Sequence, residues 1–143
     1  MAAAYLLHNA DVLVFENQAG KVVYHPLGYL RLDWYSSPAT DAQVQAIYEA
    51  ASQGLYQYGV TGILTDHRHM PPLSPVMQQW LVETWTPNAV HACGYRRAAV
   101  VQSFNVFGRL ATARVVMQLG HLPFTVHYFD NEPEAESWLL EEE

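Results

Sequence analysis

Cysteine is nearly missing from this sequence: Cys93 is the sole thiol among 143 residues. One cysteine closes no intrachain disulfide and builds no thiolate zinc site. A lone thiol among apolar neighbours reads as inert and partly buried. Lysine is equally scarce, with Lys21 alone, and among the arginines only Arg96 and Arg97 are adjacent. That is no basic stripe, so nucleic acid is excluded as an expected partner. No apolar run reaches the about 18 residues of a membrane span, and Met1 to Leu7 carries no basic leader region. Neither a signal peptide nor a span is expected, and the expected compartment is the cytoplasm. No G-x-S-x-G elbow occurs.

Charge is low throughout. Charged residues make up 15% of the chain, against a usual quarter. The formal net charge of -7 is local. Asp130, Glu132, Glu134, Glu136, Glu141, Glu142 and Glu143 are seven of the fourteen acids, leaving seven acids against seven bases before them. The acidity belongs to a terminal helix and its tail at 141–143, a solvated face. Half the residues are apolar and 13% are aromatic. One domain over 1–143 holds enough of them for a single good core. The weakly charged remainder implies a homodimer contact or a hydrophobic pocket.

The central stretch is Val60 to Leu81. A β-branched run from Val60 to Thr65 suits a strand buried on both faces. Asp66 ends it, and D-H-R-H-M-P-P forms a proline-stopped loop. Ser74-Pro75 then reads as an N-cap and first helical residue. Ahead of this lie a hairpin, Asp11 to Glu16 and Lys21 to His25, turning at Asn17-Gln18-Ala19-Gly20, and a third strand from Gly28 to Tyr35. Thr40-Asp41-Ala42-Gln43 fits a capping box, followed by a helical stripe of Val44, Ile47, Tyr48, Ala51, Leu55 and Tyr58 and a C-cap at Gly59.

The helix from Ser74 presents Met77, Trp80, Leu81 and Trp85, and Thr86-Pro87 is expected to stop it, with one irregular turn over Asn88 to Cys93. Tyr95 to Gln102 is a strand, Asn105 caps a helix through Leu119, Phe124 to Phe129 is the last strand, and Asn131-Glu132-Pro133-Glu134 caps a last helix. That helix should dock through Ala135, Trp138 and Leu139. The fold class is α/β: an antiparallel lead-in, then β-α units that imply parallel strands and right-handed crossovers.

In this order of elements the chain resembles the bacterial STAS-like single-domain proteins. These are relatives of the anti-sigma factor antagonists, grouped in fold with CRAL-TRIO lipid-binding domains. The landmarks are the opening hairpin, the strand I-L-T-D ending at Asp66, the helix Q-Q-W-L-V-E-T-W-T-P, the strand Y-R-R-A-A-V-V and the closing F-D-N-E-P-E-A-E-S-W-L. The resemblance spans about Asp11 to Leu140. It implies a STAS-like mixed sheet and a binding or regulatory module that needs no cofactor, with a protein partner or a small apolar ligand. It also implies phosphorylation at Ser74, at the start of the helix after the central strand. The surroundings there are Leu73-Ser74-Pro75-Val76 in place of the family's Asp-Ser-x-Gly-like setting.

The binding surface is expected around Asp66, His67, Arg68, His69 and Ser74. On an extended chain His67 and His69 point the same way and, with Asp66, offer metal ligands. Arg68 between them and the lack of a third soft ligand speak for a polar loop instead. Ser74, a histidine and Asp66 are the residue types of a hydrolase triad, but geometry and an oxyanion hole make a triad, not residue types. Asp66 alone reads as an acceptor for loop N–H groups. Arg109 and Arg114 either meet an anionic group or are solvated. Trp34, Trp80 and Trp85 line a pocket or, at helical spacing, form core. His8 and His25 indicate nothing specific.

Overall fold

Alternation along one strand, Tyr29–Trp34, sorts two chemistries onto two faces. Leu30, Leu32 and Trp34 are buried on one side, while Tyr29, Arg31 and Asp33 turn to the other. The computed structural model describes residues 11–141; His8, the Met1–Leu7 stretch, Glu142 and Glu143 lie outside them. The strands are β1 Val12–Asn17, β2 Gly20–His25, β3 Tyr29–Trp34, β4 Gly62–Asp66, β5 Arg97–Val101 and β6 Thr125–Phe129. The helices are α1 Asp41–Tyr58, α2 Pro75–Trp80, α3 Thr86–Cys93, α4 Val106–Met117 and α5 Glu132–Leu139, with a π-helical turn Leu81–Trp85 joining α2 to α3.

The six strands form one mixed sheet in sequence order. β1 to β3 pair antiparallel and β3 to β6 pair parallel. The turn between β1 and β2 is two residues, Gln18 and Ala19, with the Ala19 N–H donating to Asn17 Oδ1 at 2.8 Å. Gly20 is required there: a Cβ would sit 2.4 Å from the Asp33 carbonyl oxygen.

The three crossover segments pack on one face, so they share one hand. Their core holds Val22, Leu30, Leu32, Ile47, Leu55 and Ile63, all fully buried, and each such side chain contributes roughly 1.5–3 kcal/mol. Trp34, Trp80 and Trp85 cluster on Tyr48 in this layer, and Trp34 Nε1 donates to Thr65 Oγ1 at 2.9 Å. Among the described residues the opposite face is covered by α5 alone. There Tyr29, Leu64, Ala99 and Val101 meet Ala135, Trp138 and Leu139, the three residues expected to dock the last helix.

Most helix ends follow local chemistry. Thr40 and Gln43 form the reciprocal capping box of α1, and Gly59 closes it with φ 64°. Asn105 and Asn131 cap α4 and α5. The exception is Thr86-Pro87, which does not stop its helix. The rod runs without a break from Pro75 to Cys93, and residues 88–93 are regular helix. Proline has no N–H to give to a preceding carbonyl, but the π turn widens the bonding here, with the Thr86 N–H reaching Leu81 O. Pro87 then occupies the first turn of α3, where no donor is needed. Gly94, at φ 78°, ends the rod. No helix among the described residues is long and apolar enough to cross a membrane.

Candidate functional site

β4 ends in the middle of the sheet, and its pleat persists one residue past the strand because the His67 N–H still donates to Val101 O at 2.9 Å. Asp66 and His67 therefore emerge on opposite faces. At His67 the pleat stops: the Met70 N–H returns to His67 O at 3.1 Å, closing a turn. The two histidines consequently do not share a side, as an extended loop would have required. His67 is buried, whereas His69 is exposed with its ring edge-on to Phe104 at 5.4 Å. The carbonyl of Arg68 accepts from the Phe104 N–H at 3.2 Å, which ties this loop to the start of α4.

Asp66 faces α5 and is enclosed by arginine. Its Oδ1 accepts from the Arg68 N–H at 3.1 Å and from Arg68 Nε at 2.9 Å, while Oδ2 accepts from Arg68 Nη2 at 2.7 Å. Arg31 lies beside it, Nη2 to Oδ2 3.7 Å. Arg31 also donates from Nε to Asp33 Oδ1 at 2.7 Å and from both terminal nitrogens to Glu132 at 2.8 and 2.7 Å. Arg68 Nη2 reaches the same Glu132 carboxylate. Two guanidinium groups thus bind three carboxylates at the carboxyl ends of β3 and β4, under the first turn of α5. Burial opposes ionisation of Asp66, but the Arg68 hydrogen bonds and charge bring its carboxyl below the ordinary range. The Arg31 hydrogen bonds do the same for Glu132. Asp33 goes the other way, because burial outweighs the pull of Arg31. Further along α5, Glu136 accepts from Tyr29 Oη at 2.5 Å, and His25 stacks on Tyr29 at 4.6 Å.

Ser74 caps α2, its Oγ accepting from the Met77 N–H at 3.1 Å and donating to Asp41 Oδ1 at 2.9 Å. The serine of the supposed triad is thus paired with Asp41 and a helix N–H rather than with a histidine. A phosphate on Ser74 would stand against the Asp41 carboxylate. Beside it a cavity of about 160 Å³ lies between the hairpin turn, the start of α1 and the Pro71-Pro72 loop. Asp66, His67, His69 and Ser74 therefore occupy four different environments. No group of three or more His, Cys, Asp or Glu placed to hold a metal ion occurs among the described residues.

No family model, curated protein or solved structure matches this chain.

His67 is the chemically unusual member of the set. It is 5% exposed, its Nδ1 lies 3.3 Å from Thr112 Oγ1, and its Nε2 has no hydrogen-bond partner among the described residues. An unpaired buried polar atom costs on the order of 1–3 kcal/mol. Burial pushes the imidazole down to about 4, against the opposing field of Asp66, so the ring is neutral at pH 7. It borders a crevice between the π turn and α4, above β4 and β5.

On the outer side of α4 the helix is apolar as well. Gly108, Ala111 and Val115 face the core, yet Val106, Phe107, Leu110 and Met117 are exposed, as is Phe104 just ahead. Arg109 and Arg114 are exposed on the same helix, with Arg109 Nε donating to Ser103 O at 2.7 Å. Sequence reading placed Arg109 and Arg114 but not the apolar side chains around them, nor the Arg31–Asp33–Glu132 cluster. A signal for the cluster was present: Arg31 and Asp33, two apart in a strand whose neighbours are apolar, share a covered face that demands ionic partners.

Proposed function

We propose that the chain is a non-catalytic, STAS-like binding domain that docks a protein partner on the outer face of α4. The observation that carries this reading is the exposure of five large apolar side chains on and just ahead of that helix: Phe104 69%, Val106 61%, Phe107 67%, Leu110 50% and Met117 82%. Phe107, Leu110 and Met117 run along one stripe at helical spacing. Large apolar side chains exposed along one helix face, with Arg114 set between Leu110 and Met117, mark an interaction site. His69 extends it from the neighbouring loop through its contact with Phe104. Supporting the absence of catalysis, the nucleophile, base and acid of the alternative hydrolase are held apart, each with another partner.

Charge selects the occupant. α4 carries Arg109 and Arg114 and no acidic residue, so the complementary surface is an apolar protein segment bordered by carboxylates. Two copies of this chain joined symmetrically through α4 would set these arginines against themselves. The homodimer expected from charge content alone is the less complementary occupant. A photo-crosslinking amino acid at Phe107, expressed in the native host, tests the reading against the same probe at Tyr56, an exposed site on α1 (77%). The expected adduct is specific to position 107 and lies on a peptide of another protein rich in apolar residues and Asp or Glu. Adducts to the chain itself would indicate self-association, and no position-specific adduct would overturn the proposal.

A further inference from the structure

We infer that the crevice beside His67 binds a small, neutral, aromatic molecule bearing one hydroxyl group. This is independent of the docking reading, because α4 turns Val115 and Val116 to the crevice, whereas Phe107, Leu110 and Met117 are not part of its lining. The first observation is the Nε2 of His67, unpartnered among the described residues, on a side chain that is 5% exposed and lines this crevice as well as two smaller spaces beside Thr112. Buried polar atoms are paired in native proteins with few exceptions, and an exception points to a missing partner. The second is the space itself, about 70 Å³, lined by Trp85, Tyr95, Phe124, Leu81, Val100 and Val115 and bordered by the half-buried Val116. Aromatic and branched walls suit a ring. The third is the backbone: the π turn Leu81–Trp85 supplies both Leu81 and Trp85 to the wall, and such turns recur at functional sites.

The lining also decides the ligand's charge and its polar group. It includes no Asp, Glu, Lys or Arg, so a charged ligand would be desolvated without compensation. A hydroxyl donates to Nε2 when the ring proton sits on Nδ1, and accepts from it in the other tautomer. It therefore satisfies His67 whichever way Thr112 fixes the ring. Tyr48 and Tyr95, whose burial keeps their hydroxyls protonated, are part of the same lining.

Phenol is the probe, toluene its counterpart without the hydroxyl, and the full chain with ¹⁵N-labelled histidine the sample. Phenol is expected to shift the His67 Nε2 resonance in a saturable manner, with an affinity about tenfold above that of toluene, the equivalent of one hydrogen bond. His67→Phe, which keeps a ring and removes the nitrogens, should abolish that preference, and Val116→Trp should block entry of both probes. If phenol leaves the His67 resonance unmoved up to its solubility limit, the inference is overturned and an ordered water is the partner of Nε2. It is equally overturned if phenol binds but only resonances remote from His67 respond. Both results come from the unmutated protein and hold even if a variant fails to fold, and neither involves the Phe107 adducts that decide the docking reading.

Discussion

Arg31 holds Glu132 through two parallel hydrogen bonds of 2.8 and 2.7 Å, across 101 residues of sequence. The pair joins the middle of the sheet to the first residue of α5, and α5 is the only cover over that face among the described residues. A fork of this geometry is worth more than an ordinary surface ion pair, because both groups are half-buried and Asp33 and Asp66 share the same cations. At its far end α5 is fixed by packing: Trp138 stacks on His127 at 4.4 Å, and Arg97 lies over the indole and donates to the Trp138 carbonyl at 2.7 Å.

Removing the cation should therefore cost more than removing the anion. Arg31→Met takes from Asp33, Asp66 and Glu132 the cation they share, leaving Arg68 to Asp66 and Glu132, with an expected loss of about 2–4 kcal/mol. Glu132→Gln keeps two hydrogen-bonding positions, and about 1–2 kcal/mol is expected to go, the smaller figure reflecting its exposure. Urea unfolding of the two single variants and the double variant measures both values and their coupling. Additive losses would mean that the pair contributes nothing beyond its separate packing.

Trp138→Ala should cost roughly 3 kcal/mol, since it removes the contacts with Phe129, His127 and Arg97 together. A truncation after Leu140 should change the urea midpoint far less. Equal losses in the two proteins would place the anchoring of α5 in its acids rather than its apolar side.

Ser74 separates a cap from a switch. Ser74→Ala should lower stability by about 0.5–2 kcal/mol through the lost bond to the Met77 N–H. Aspartate is also a good cap and suits a helix N-terminus, but here it would face Asp41, which now accepts the serine proton. Ser74→Asp should thus melt below the wild type, and Ser74→Asp with Asp41→Asn should recover. Thermal melts of the set decide it, and a Ser74→Asp protein as stable as wild type would show that Asp41 turns away freely.

The buried imidazole of His67 gives a pH signature of its own. Its folded-state pKa of about 4 lies below the about 6.5 of an unfolded histidine. Between these values the unfolded chain binds the proton and the native chain does not, so stability falls as pH drops through that window. Above pH 6.5 the effect vanishes, and below about 4 it is complete, at on the order of 3 kcal/mol. Asp66 and Glu132, held below their ordinary range, lose their contribution at still lower pH. Urea midpoints of wild type and His67→Phe from pH 7 to 4 should change their separation as the pH falls, the wild type losing ground to the variant. Parallel curves would mean that the ring is protonated or hydrated in the native state.

Much of the fold was legible in the sequence because its signals are local. The Thr40–Gln43 capping box, the Ser74-Pro75 start, and Gly59 at a helix end each state their role within a few residues. The π turn was not legible, since proline after Thr86 reads as a stop unless the preceding turn is known to widen. The site was legible only in part. Asp66 and Arg68 were marked, but their partners Arg31 and Glu132 lie far along the chain and meet only through sheet pairing. Period-two reasoning placed His67 and His69 together, and a single turn at His67 undid it. α4 concealed its outer face for another reason: V-F-G-R-L-A-T-A-R-V-V-M spreads its apolar residues around the helix, so periodicity does not distinguish the side that packs from the side that does not.

The central claim, docking through the outer face of α4, is tested most directly by crosslinking yield at Phe107 in Leu110→Asp and Arg114→Glu backgrounds. Both positions are exposed, so unfolding free energies should stay within about 0.5 kcal/mol of wild type. The account predicts that the Phe107 adduct falls at least several-fold in each, through lost apolar contact in the first and reversed charge in the second. An undiminished adduct in both, with stability unchanged, would contradict it.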